Sequence, residues 1–226
     1  MGDPIYKDLT VDALYDLSHT LAAPLLAAAT YPWEVLDELG EFICALGSNL
    51  PAEEYDHPAP TVWIHKTARV FNSAYIGENV IIGANTEVRH CAFIRGNALV
   101  GSGAVVGNST ELKNVILFDN VQVPHYNYVG DSVLGYKAHM GAGSITSNVK
   151  SDKTPVSVRM EEARLLTGRK KFGAMLGDLV EVGCGSVLNP GTVVGCCTRI
   201  YPLSCVRGFV PADSIYKKQG EIAIQE

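Results

Sequence analysis

Stepping by six from Ile64, the chain places a large apolar residue at every stop: Ile64, Val70, Ile76, Ile82, Val88, Ile94, Val100, Val106, Leu112 and Phe118. Four positions after each of the first eight stand Ala68, Ala74, Val80, Thr86, Ala92, Ala98, Ala104 and Thr110, all small or β-branched. The pattern returns at Leu176, Val182, Leu188, Val194, Ile200 and Val206, with Leu134 and Met140 between. Typical composition makes about a third of residues large and apolar, so ten in phase by chance is on the order of one in tens of thousands. A period of six suits neither an amphipathic helix nor a two-faced strand.

A short strand, a tight turn and another short strand at an angle do satisfy it. Three such units close a triangular coil of about 18 residues. The large aliphatics then face the axis and stack coil on coil, while the small residues take the corners. Gly77, Gly83, Gly101 and Gly107 follow large residues and are expected to give the turns backbone freedom. Successive coils pair in parallel, so backbone groups bond between coils. The fold class is all-β, a parallel β-helix of hexapeptide repeats behind a short helical segment.

Residues 1–60 lack the repeat. Thr10 stands as an N-cap before VDALYDLSHTL, and PWEVLDELGEFICALG puts Val35, Leu36, Leu39, Phe42, Ile43 and Leu46 near one helical face. Two short helices are expected there, capping the open first coil or packing at an oligomer contact. Residues 61–211 form the β-helix and 212–226 a C-terminal tail. The periodicity reads as failing twice. Pro124-His125 falls where the next inward aliphatic belongs, and KSDKTPVSVRMEEARLLTGRKK forms an insertion at about 150–171. The insertion carries Arg159, Arg164, Arg169, Lys170 and Lys171, and insertions in repeat folds gather on a binding face.

A net charge of -6 over 226 residues leaves no footprint for nucleic acid and no polybasic membrane patch. MGDPIYKDLT has no basic or apolar leader region, and TLAAPLLAAATYPW is too short to span a bilayer. A cytoplasmic location is expected. The six cysteines form no CxxC pair, so thiols in a reducing compartment are expected rather than zinc ligands or a disulfide framework.

From IRGNALVGSGAVVGNSTELK through PHYNYVGDSVLGYKAHMGAGSITSN, the chain resembles the acetyltransferase half of the bifunctional N-acetylglucosamine-1-phosphate uridyltransferase/glucosamine-1-phosphate acetyltransferase family. It is similar also to the C-terminal half of archaeal sugar-1-phosphate nucleotidyltransferases. The likeness covers about residues 64–210 and keeps the spacing between motifs. It implies left-handed winding, acetyl-CoA as co-substrate, no metal for the chemistry, and an amino-sugar phosphate or nucleotide sugar as acceptor. It also implies a homotrimer with its sites between subunits.

Residue by residue, the resemblance makes His125 in HYNYVGD the general base and places Tyr128 at the sugar nucleotide. Arg95 in IRG and Lys113 in GNSTELK match phosphate-holding residues, and Lys171 in KFGAMLGD matches a second substrate-site lysine. Asn148, closing GAGSITSN, matches a catalytic asparagine that reaches the sugar and acetyl region; Ala142 in GAG matches a contact to the coenzyme A arm. The chemistry needs these types. An amine must be neutral to attack a thioester, so a base near neutrality is required. An Asn amide or backbone N–H groups can hold the developing oxyanion, and Arg and Lys neutralise a phosphate.

The chain departs from that pattern in places. His139 stands for an asparagine at the N-acetyl group, Val149 for a tyrosine, Cys184 for a coenzyme-facing serine, and the basic insertion for a short turn. No GxGTRM-like loop occurs, so the first 60 residues are not expected to form a uridyltransferase domain. Three other readings stay open. One is a trimeric β-helix carbonic anhydrase, opposed by the lack of a close histidine pair. The others are a non-catalytic scaffold or sugar-nucleotide-binding protein, and O-acetylation of another sugar by the same base.

Overall fold

Every stop of the repeat except Phe118 lands on one of three flat faces. Face I is the parallel ladder of residues 75–76, 93–94, 111–112, 128–129, 145–146, 187–188 and 205–206. Face II runs through 62–64, 80–82, 98–100, 115–117, 132–134, 174–176, 192–194 and 209–210. Face III runs through 69–70, 87–88, 105–106, 122–123, 139–140, 181–182, 199–200 and 215–216. The computed structural model describes residues 6–160, 163–218 and 221–224. It is a left-handed parallel β-helix of about 8 turns. Ile82, Val88, Ile94, Val100, Val106 and Leu112 are fully buried along its axis.

Two details of the repeat differ from expectation. The glycines after the large residues lie outside the left-handed region; what demands them is the neighbouring coil. A Cβ on Gly77 would sit 2.3 Å from the Arg95 carbonyl oxygen. The corner between faces I and II is turned instead by Asn79, Asn97, Asn114 and Asp131, at φ 55°, 49°, 57° and 49°. Asn and Asp tolerate that left-handed conformation.

The periodicity also does not fail at Pro124-His125. Ile94 pairs with Leu112 but Gly96 with Lys113, so Arg95 is an extra residue in the ladder and the phase advances by one. Leu117, not Phe118, aligns with Val100. Val123, aligned with Val106, fills the inward position at 0% exposure. Phe118 occupies the place that Gly101 and Gly135 hold in neighbouring coils, buried against Tyr15 with ring centroids 5.0 Å apart.

The N-terminal segment is a string of short turns, Lys7–Leu9, Val11–Leu14, Leu17–His19, Ala23–Ala27 and Pro32–Asp37, ending in the helix Leu39–Gly47. It lies along face II rather than over the first coil. Leu14 O accepts from Asp178 N, Trp33 packs on Phe172, and Gly47 abuts Trp63. The outward residues of face II, Trp63, Ile81, Leu99, Ile116, Val133, Met175 and Val193, are therefore at most 5% exposed. The flat apolar face of the β-helix is thus covered by the chain itself. One sheet edge at each end is closed by an antiparallel strand: Tyr55–Ala59 on Val62–His65, and Glu221–Ile224 on Ser214–Lys218.

The insertion leaves after Ile145–Thr146 and returns at Ala174–Leu176, with an antiparallel hairpin of Ser157–Arg159 and Arg164–Leu166 between. Cys44, Cys91, Cys184, Cys196 and Cys205 are free thiols. Among the described residues no helix is long and apolar enough to cross a membrane.

Candidate functional site

Asp131 is 2% exposed at the corner between faces I and II. A buried carboxylate needs partners. Lys113 Nζ donates to both its oxygens at 3.0 Å, Asn114 Nδ2 to Oδ1 at 3.0 Å, and Asn148 Nδ2 to Oδ2 at 2.5 Å. Asn148 Nδ2 also donates to Tyr128 Oη at 3.1 Å. Coil stacking builds this hub, because Glu111 pairs with Tyr128, Lys113 with Gly130, and Tyr128 with Ile145. Arg95 joins it through Glu111, Nη1 to Oε1 at 2.9 Å, a hydrogen bond that raises the guanidinium's pKa further. Burial raises the pKa of the Tyr128 phenol, and the nearby Asp131 charge adds to the effect. Tyr128 therefore keeps its proton.

Beside the hub lies a cavity of about 430 Å³ lined by Lys113, Asp131, Lys170 and Lys171, with Leu36 and Asp37 from the N-terminal segment. The structure thus brings Arg95, Lys113, Tyr128, Asn148 and Lys171 to one corner. Four of these, Arg95, Lys113, Tyr128 and Asn148, already have side-chain partners in the protein. Both Asn148 amide hydrogens are committed, which leaves Oδ1 as its free function toward a ligand.

The other expected residues stand on the opposite edge of face I. His125 is exposed, and its imidazole makes no hydrogen bond or ion pair to another described residue. Its backbone carbonyl accepts from Gly143 N, and the Ala142 carbonyl accepts from Gly185 N. This stacks His125, Ala142 and Cys184 along one corner of three successive coils, and Ala142 and Cys184 are also exposed. The two edges are separated by the stretch from Tyr126 to Asp131, on the order of 15 Å of extended chain. His139 belongs to neither edge. It sits on face III, Nδ1 2.7 Å from Glu181 Oε2.

Two site residues escaped the sequence reading. Asp131 is the aspartate of HYNYVGD, inside a motif otherwise read in full, and its signal was available. Asp37, which holds Arg169 beside the cavity, carried none.

No family model matches the chain. It is 30% identical to a "Bifunctional protein GlmU" of Methanococcus maripaludis, over 86% of this chain and 47% of that protein. It is 34% identical to a "Bifunctional sugar-1-phosphate nucleotidylyltransferase/acetyltransferase" of Sulfurisphaera tokodaii, over 48% of this chain and 27% of that protein. The chain thus spans half or less of the length of these bifunctional relatives. It is 33% identical to the "Uncharacterized acetyltransferase YaiX" of Escherichia coli, over 68% of this chain and 76% of that protein.

Proposed function

The chain belongs to the hexapeptide-repeat acetyltransferase family that includes YaiX, and on that premise we propose that it transfers acetyl from acetyl-CoA to the amine of an amino-sugar phosphate or nucleotide amino sugar. The observation that carries the reading is the division of face I. One edge stacks His125, Ala142 and Cys184, and the other gathers Arg95, Lys113, Tyr128, Asn148 and the lysines of the cavity. Donor and acceptor then meet across an open strip of sheet.

In the reaction, the imidazole of His125 takes a proton as the amine nitrogen attacks the thioester carbonyl. The tetrahedral oxyanion collapses, the C–S bond breaks, and the thiolate leaves and is protonated. The exposure of His125 suits a group that must reach both substrates. Tyr128, kept protonated, donates to the acceptor, and Asn148 Oδ1 accepts from it. Lys170 and Lys171, which face the cavity, supply charge that Lys113 and Arg95 spend on Asp131 and Glu111.

A homotrimer belongs to the same proposal. Face II is covered, so the contact falls on face I and its corners, where Tyr75 and Phe93 are 61% and 41% exposed. Light scattering should give three chains, and a stable, active monomer would end this part. The function itself is tested by coenzyme A thiol release against a panel of amino-sugar 1-phosphates and nucleotide amino sugars. Release with an amino acceptor, accompanied by an N-acetyl product, supports the reading. Release only with hydroxyl acceptors overturns N-acetylation, and no release with any acceptor overturns the reading.

A further inference from the structure

The insertion hairpin holds a cluster of cations that the proposed chemistry does not use. Its backbone is seated on the two glycines that turn the corner between faces I and II in the last coils. A Cβ on Gly191, φ 81°, would lie 2.6 Å from Ser157 O, and one on Gly208, φ 76°, would lie 2.5 Å from Arg159 O. The chain therefore needs glycine there twice over, for the turn and for the hairpin. Val156 and Val158 are fully buried beneath it. Docked this way, Arg159 stands directly across the hairpin from Arg164, and both line a small cavity of about 60 Å³ with Ser157, Arg207 and Lys150.

Like charges directly opposite each other on paired strands are unfavourable. Among the described residues Arg159, Arg164 and Arg207 have no acidic partner; only Lys150 does, with Asp152 at 3.4 Å. An oxyanion resolves the conflict. Guanidinium forks match phosphate oxygens in pairs, and the cavity, about two water volumes, admits one phosphoryl group.

The location says which ligand. The cluster lies on the acceptor edge, two to three coils beyond Asp131, or about 10–14 Å along the axis. The donor column of His125, Ala142 and Cys184 runs along the other corner. With the sugar at the Asp131 corner, a sugar 1-phosphate ends short of the cluster, whereas the diphosphate of a nucleoside-diphosphate sugar extends toward it and the arginine side chains span the remainder. We propose that Arg159, Arg164 and Arg207 form a second phosphate site that selects a nucleoside-diphosphate amino sugar as the acceptor. This inference rests on the acetyl-transfer reading for its substrate and on the hairpin geometry for its site.

The test begins with binding to the full chain, using inorganic pyrophosphate, inorganic phosphate and coenzyme A as calorimetric probes. Pyrophosphate should bind more tightly than phosphate. The double variant Arg159→Gln/Arg164→Gln should weaken pyrophosphate by about tenfold or more, leave coenzyme A unchanged, and melt as the parent does, since both side chains are exposed. Unchanged pyrophosphate affinity overturns the site. Weakened coenzyme A affinity moves the site to the donor and overturns the acceptor assignment. In the thiol-release assay, kcat/KM should fall for nucleoside-diphosphate amino sugars and hold for amino-sugar 1-phosphates. If the parent acetylates nothing, the acetyl-transfer reading fails while the binding data still decide the site.

Discussion

Arg169 and Asp37 close a two-bond fork across 132 positions of sequence, Nη1 to Oδ2 at 2.8 Å and Nη2 to Oδ1 at 2.6 Å. It ties the N-terminal segment to the end of the insertion, and both residues line the larger cavity. The pair is lopsided: the Arg169 side chain is 11% exposed and that of Asp37 82%. Water screens the aspartate, so Asp37→Ala should cost about 1 kcal/mol or less, a fall in Tm of about 2–4 °C. Its larger effect should be on binding, since Arg169 and the adjacent Lys170 and Lys171 lose their anchor. KM for the acceptor should rise while kcat holds. Steady-state kinetics beside a melting curve checks both, and an unchanged KM would show that the fork does not position the lysines.

His125→Ala should lower kcat by about 10²–10⁴-fold, the usual contribution of a positioned general base. It should not move Tm, because the imidazole is exposed and has no hydrogen-bond or ionic partner among the described residues. Single-turnover acetyl transfer read with equal melting curves separates chemistry from folding. A variant with the parent's kcat would remove His125 as the base.

Asp131→Ala should be the most damaging change at the corner. It leaves Lys113, with a side chain 25% exposed, facing the emptied site, and frees the Asn114 and Asn148 amides. Breaking a buried pair from one side costs about 3–5 kcal/mol, and the partial exposure of Lys113 points to the lower end. Removing both partners in Asp131→Ala/Lys113→Met should recover part of that loss. Denaturant unfolding of the singles and the double reads the coupling. Additive losses would mean that the two side chains do not act as a pair.

The β-helix was legible because inward positions must be apolar in every coil, and a six-step count finds them wherever coil length is constant. The count went astray at Arg95, where one coil becomes a residue shorter. Ten stops stayed apolar only because Phe118 happens to be apolar for another reason, its burial under Tyr15. The apparent failure at Pro124-His125 was that slip carried forward. His125 is therefore not marked by a broken repeat; the motif around it carries the assignment. The role of the N-terminal segment was also written in the sequence. Triplets such as Val80-Ile81-Ile82 and Ala98-Leu99-Val100 have an apolar middle residue, the mark of a strand covered on both sides. Faces I and III place Glu87, Arg95, Glu111 and Arg199 outward instead. Contacts such as Asp37 with Arg169 have no local signal, because they depend on how an irregular segment drapes over a regular one.

Asp178 makes that draping sensitive to pH. Its carboxylate accepts from Asp16 N and Tyr136 N, each at 2.7 Å, and so joins the N-terminal segment to the β-helix. Burial raises its pKa from the usual 3.8, outweighing these hydrogen bonds, which lower it. With the folded pKa above the unfolded one, the folded state binds more protons between the two values. The associated stability is then full below the unfolded pKa and is lost as pH rises through the folded one. Asp178→Asn keeps an acceptor oxygen and does not titrate. The Tm of the parent should therefore gain on that of the variant as pH falls from about 5.5 to about 4. The difference between the two melting curves cancels the shared carboxylates that do not interact with Asp178. A difference that stays flat, or moves toward the variant on acidification, would mean that the hydrogen bonds from Asp16 and Tyr136 outweigh burial at this carboxylate.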